Sequence, residues 1–194
     1  MSKPWISGVK DTCKLTVYNE LTGKWKNIFH LALESFKTLG VSVKIEKTED
    51  KEQANVVMKL ASTVATYTYE NAEYSHAFSG TGLHGYTMQL SRDGKMEKAV
   101  IFLPETPQTS GGYVRGKYVV ESVSQDIMLG IAVHELVHAC GLENSDHADD
   151  GIFYFPLAVS GKKLIVPEKD KNNRPMPPFF LSPLTICKVQ SLWN

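Results

Sequence analysis

No sign of charge predominates in this sequence: 21 Lys and Arg stand against 21 Asp and Glu, for a formal net charge of zero. That balance removes the long-range field that draws a protein to nucleic acid or to an anionic bilayer, so neither is expected as a partner and recognition must rest on local sites. Long apolar runs are missing too. No segment has the length needed to span a bilayer, and the opening stretch MSKPWISGVKDTCKLTVYNE has no apolar core of signal-peptide length. No membrane partner is therefore expected, and a cytoplasmic setting is the simplest expectation, with secretion the alternative if a signal was removed. Cysteine is scarce, odd in number and dispersed at Cys13, Cys140 and Cys187, which argues against a disulfide framework and for reduced thiols. Internal repeats, low-complexity tracts and linkers are absent.

What is present is the composition of an ordinary globular chain, 42% hydrophobic and 22% charged over 194 residues. That length suits one well-buried core, so residues 1–194 are expected to form a single domain and a monomer. LTVYN (15–19), VSVKIE (41–46) and ANVVMKLA (54–61) read as strands, and KAVIFLP (98–104) as a buried one. Between the first two, apolar residues at three- and four-residue steps from Trp25 to Leu39, followed by Gly40, predict an amphipathic helix. The alternation of strands and helices predicts an α/β (α+β) fold with helices on a twisted, mostly parallel sheet. HGYTMQLS (84–91) is expected at the sheet edge, and PETPQTSGGYVRGKY (104–118) as a loop. FYFPLAVSGKKLIVPEKDKNNRPMPPFF (153–180) reads as a long irregular segment with a short hairpin around Ser160-Gly161. SPLTICKVQSLW (182–193) reads as a final helix capped by Ser182 with Pro183 at its first position.

The chemistry concentrates in HELVHACGLENSDH (134–147). SVSQ (122–125) has the capping-box pattern, with Ser122 as N-cap, and opens a helix expected to run to Gly141. Residues four apart share a helical face, so His134 and His138 can present two imidazoles to one zinc ion, with Glu135 beside them as general base for a metal-bound water. Apolar neighbours on several sides should bury that helix, with Cys140 a core thiol and not a ligand.

HELVHACGL, followed by a polar loop, a later methionine and a last short helix, resembles the metzincin clan of zinc peptidases, and within it the matrixin-type branch. Their pattern HExxHxxGxxH is matched at His134, Glu135, His138 and Gly141 and departs at Asn144, where the family has its third histidine. The resemblance implies a metzincin-like zincin fold with an edge strand, an active-site helix and a C-terminal helix. It also implies an extended peptide or protein substrate added along the edge strand 84–91. For the third ligand His147 is favoured on ligand chemistry, Asp146 is second, Asn144 is a weak amide ligand, and Asp149 and Asp150 read as a solvated loop. Met176 is favoured over Phe153 as the floor under the metal. His84, Tyr86 and Tyr154 are weaker candidates for substrate contact, more simply structural, and no role is assigned to His30 or His76.

The expectation carried forward is a zinc metalloendopeptidase with catalytic Glu135, metal ligands His134, His138 and His147, and Zn2+ as cofactor. A zinc-dependent amidase and a zinc-binding module without turnover are the alternatives.

Overall fold

The structure, a computed structural model, describes residues 2–78, 80–82, 84–143, 146, 159–160, 163–164 and 181–194. The main sheet is built from β1 (Lys14–Asn19), β2 (Lys44–Thr48), β3 (Val56–Ala61), β7 (Tyr86–Arg92) and β8 (Lys95–Pro104), in the order β2-β1-β3-β8-β7. The first four run parallel and β7 pairs antiparallel with β8, so a mixed α/β fold with a largely parallel sheet and an antiparallel edge is in place. Strand β8 shows why the sheet is central. Ala99, Ile101 and Leu103 pack into the cluster on one face while Val100 and Phe102 pack into the cluster on the other, all fully buried. A strand covered on both sides has no use for alternating polarity, hence the unbroken run AVIFL.

One face carries three helices, α2 (Trp25–Lys37), α3 (Gln125–Ala139) and α4 (Pro183–Trp193). Trp25, Ile28, Phe29, Ala32, Leu33 and Phe36 form the buried stripe of α2, and the chain leaves that helix through Gly40 at φ +77°. The other face is roofed by the antiparallel hairpin of β4 (Val64–Tyr69) and β5 (Ala72–Ala77), which contributes Ala65 to a second core with Phe78, Met88 and Phe102. Pro183 and the Ser182 cap open α4 as its sequence predicts, Ser182 Oγ accepting from the amide of Thr185 at 3.2 Å.

Several expectations need correction. The stretch 104–118 is no loop: β9 (Thr106–Val114) and β10 (Lys117–Ser122) pair there as a long antiparallel hairpin, with β6 (Thr81–Gly82) beside β9. Its Gly, Thr and Ser content suits a twisted, bulged strand pair as well as a loop, and the register does shift between Val119 and Val120. Ser122 ends β10, so the cap of α3 falls to Ser124, whose Oγ accepts from the amide of Ile127 at 3.4 Å. The second strand begins at Lys44 rather than Val41. The sequence alone also gives no sign of the β4–β5 hairpin, the short strand β6 or the short helix α1 (Ser7–Lys10). The expected hairpin near Ser160 is present as β11 (Val159–Ser160) with β12 (Lys163–Leu164). No helix among the described residues is long and apolar enough to cross a membrane.

Candidate functional site

The site forms where the second half of α3 passes under the edge strand β7. Within α3 the buried set runs almost all round, from Met128 through Ile131, Ala132, Val133, Leu136 and Val137 to Ala139. A helix wrapped in this way has little freedom to slide or turn, and any polar side chain on it must be given partners. Glu135 and His138, each 4% exposed, are two such side chains; His134 is half-buried.

The partners come from β7. Its side chains alternate: Tyr86, Met88 and Leu90 turn to the core shared with the β4–β5 hairpin, while Thr87 and Gln89 reach α3. Thr87 Oγ1 lies 2.7 Å from Glu135 Oε2 and 3.1 Å from the Glu135 carbonyl oxygen. Gln89 Nε2 donates to the carbonyls of His138 at 3.0 Å and Leu142 at 2.9 Å. At Gly85, just before the strand, an added Cβ would lie 2.7 Å from Glu135 Cδ and Oε1, so any larger residue there would displace the Glu135 side chain. Burial pushes the Glu135 carboxyl up to about 7, and the Thr87 hydroxyl offsets part of that rise. Tyr86 is also held above its ordinary value, by burial first and by the Glu135 charge second, and its ring stacks on His76 with centroids 3.8 Å apart.

His138 Nδ1 lies 2.9 Å from the Leu142 carbonyl oxygen, and His138 Nε2 lies 3.0 Å from His134 Nε2. The spacing His134-x-x-x-His138 therefore does bring two imidazoles together on one helical face. Beside them opens a cavity of ≈ 420 Å³, lined by polar groups that include Lys3, Tyr86, Thr87, Gln89, Glu135 and Glu143. A carboxyl poised near neutrality at the wall of such a cavity can take up or release a proton at physiological pH, which is the property general acid–base chemistry requires.

The end of α3 is anchored by distant segments. Trp5 Nε1 donates to the Ala139 carbonyl, Trp193 Nε1 to that of Cys140, and the Lys3 amide to that of Gly141, at 2.9, 2.9 and 3.0 Å. Gly141 turns the chain at φ +110°, and a Cβ on it would collide with the Lys3 carbonyl oxygen. Cys140 is a core thiol as expected, its ionisation strongly opposed by burial.

The zinc centre expected from the sequence is not supported. Among the described residues no group of three or more His, Cys, Asp or Glu side chains could hold a metal ion. The two imidazoles of His134 and His138 are brought together, but Asp146, considered as a third ligand, is committed elsewhere. Its carboxylate accepts from Ser2 Oγ and from the Glu143 amide, and the Ser2 bond holds its pKa below the ordinary carboxylate value. His147, Asn144, Asp149, Asp150, Phe153, Tyr154 and Met176 lie outside the described residues. Compared with protein-family models and with curated proteins, the chain matches none. The likeness to metzincins, the Zn2+ cofactor and the metal-activated water of a zinc metalloendopeptidase are accordingly withdrawn.

Sequence reasoning missed Thr87, Gln89, Gly85 and Lys3. A signal for the first two was available in YTMQL, where two polar residues alternate with three apolar ones. On an edge strand, however, that pattern reads as polar side chains facing water.

Proposed function

We propose that the face between β7 and α3 binds an extended polypeptide and that Glu135 exchanges a proton with the bound chain. The observation that carries this reading is the position of Glu135: a buried carboxyl, raised to about 7, at the wall of a cavity directly beside the outer strand of the main sheet. Among the described residues no strand pairs with the outer side of β7. Such an edge offers backbone donors and acceptors to one more strand, and an extended peptide satisfies them without needing a particular sequence. The cavity then receives side chains or a carbonyl of that peptide next to Tyr86, Gln89 and Glu135.

In this reading Glu135 is the proton-exchanging group and His138, with His134 beside it, completes the polar wall. Thr87 keeps the carboxylate oriented in its ionised form.

Binding of unstructured peptides tests the proposal, with backbone N-methylation moved one residue at a time along a peptide that binds. Strand addition uses alternate amides, so methylation should abolish binding at every second position and leave the positions between nearly unaffected. Equal sensitivity at all positions, or none, contradicts the strand-addition reading. Proton exchange by Glu135 predicts that binding releases or takes up a proton near neutral pH and that Glu135→Gln eliminates this, as read by calorimetry in two buffers of different ionisation enthalpy.

A further inference from the structure

We infer that Gln89 is a positioning residue which, by holding the Leu142 carbonyl against His138, fixes His138 as its Nδ1–H tautomer and turns the Nε2 lone pair towards His134. The argument begins with Leu142. Its carbonyl oxygen has two lone pairs and receives two donors, His138 Nδ1 and Gln89 Nε2, both at 2.9 Å. A carbonyl can only accept, so the nitrogen facing it must carry the proton. In a neutral imidazole the other nitrogen is then an acceptor. That lone pair of His138 Nε2 lies 3.0 Å from His134 Nε2. The opposite tautomer of His138 would set the Nδ1 lone pair against the lone pairs of the Leu142 oxygen at 2.9 Å.

The orientation of the Gln89 amide follows from the same accounting. Among the described residues the atoms bonded to it, the carbonyl oxygens of His138 and Leu142, are acceptors, so the NH2 and not the oxygen must face them. Leu142 follows Gly141, whose positive φ turns the chain out of α3. A peptide plane just past such a turn has no helical partner to hold it, and Gln89 supplies one by joining the last turn of the helix to the exit chain. Gln89 sits two residues beyond Thr87 on the same face of β7, so one strand positions both Glu135 and His138. This inference extends the reading of the β7–α3 face as a binding site, but its test reads ring nitrogens and not ligand binding, and the two can fail separately.

The experiment is long-range 1H–15N NMR on the full chain labelled in its histidine rings, at about pH 8, where an unperturbed imidazole is neutral. The expected spectrum of His138 has a protonated, pyrrole-type Nδ1 and a bare, pyridine-type Nε2. A His138 protonated at Nε2 overturns the assignment. Gln89→Met removes both donors at similar volume and should move the His138 tautomer ratio about 2- to 12-fold towards Nε2–H, the range set by one net hydrogen bond. An unchanged ratio overturns the role of Gln89. Should that variant not fold, the parent still decides. The side-chain NH2 protons of Gln89 should exchange slowly with water, and exchange at the rate of an exposed amide overturns the inference.

Discussion

Glu135 shows how much one residue can be asked to carry. Its folded pKa of about 7 lies above the ordinary 4.5, chiefly through burial, so between those values the folded chain binds a proton that the unfolded chain has lost. Stability must then fall as pH rises through this window, because the state with more bound protons is favoured at low pH. The interval corresponds to roughly 3 kcal/mol, fully lost above the folded pKa. Glu135→Gln should remove this part of the pH dependence and leave the variant more stable than the parent at pH 8. Urea unfolding at pH 4.5, 6 and 8 measures it, and equal slopes in parent and variant would contradict the buried-carboxyl account. Gly85 is the matching steric prediction. Gly85→Ala should cost about 1–3 kcal/mol, because the new methyl meets a carboxyl held in a packed helix, whereas Gly8→Ala, with nothing within 4 Å, should stay within about 0.5 kcal/mol.

At the scale of elements, the C-terminal end of α3 depends on side chains about 50 or more residues away. Its last carbonyls are met by two indole N–H groups, from Trp5 and Trp193, in addition to the Gln89 amide. Trp193→Phe keeps most of the packing but leaves the Cys140 carbonyl one donor short. It should lower stability by about 1–2 kcal/mol and speed amide exchange in the last turn of α3, a local effect that hydrogen-exchange mass spectrometry can localise. This dependence marks the limit of what the sequence makes legible. The helices α2, α3 and α4 and strands β1, β3 and β8 are visible in their own residues, through periodicity, caps and unbroken apolar runs. The pairing of His134 with His138 is visible for the same reason, since four-residue spacing on a helix is local geometry. Thr87 and Gln89 are not, because whether a polar side chain on a strand faces water or a helix depends on where a segment some 50 residues away has packed. The β9–β10 hairpin is not legible because glycine and threonine mark a twisted strand pair and a loop alike. Of the candidate third ligands in the polar loop after α3, the favoured His147 lies outside the described residues, and Asp146, the second choice, is tied to Ser2 near the other end of the chain.

For the whole molecule, the two faces of the sheet divide the work. Three helices bury one face, the β4–β5 hairpin covers the other, and the antiparallel strand β7 ends the sheet with Thr87 and Gln89 reaching into α3. A ligand that adds to β7 therefore touches, through one layer of side chains, the residues with acid–base capacity. The measurement that tests this most directly is residue-resolved amide hydrogen exchange of the full chain with and without a saturating unstructured peptide. The account predicts slowed exchange at alternate amides of Tyr86–Arg92, accompanied by a shift of the His138 ring resonances. A bound peptide that leaves the β7 amides unprotected, and protects another surface instead, would contradict it.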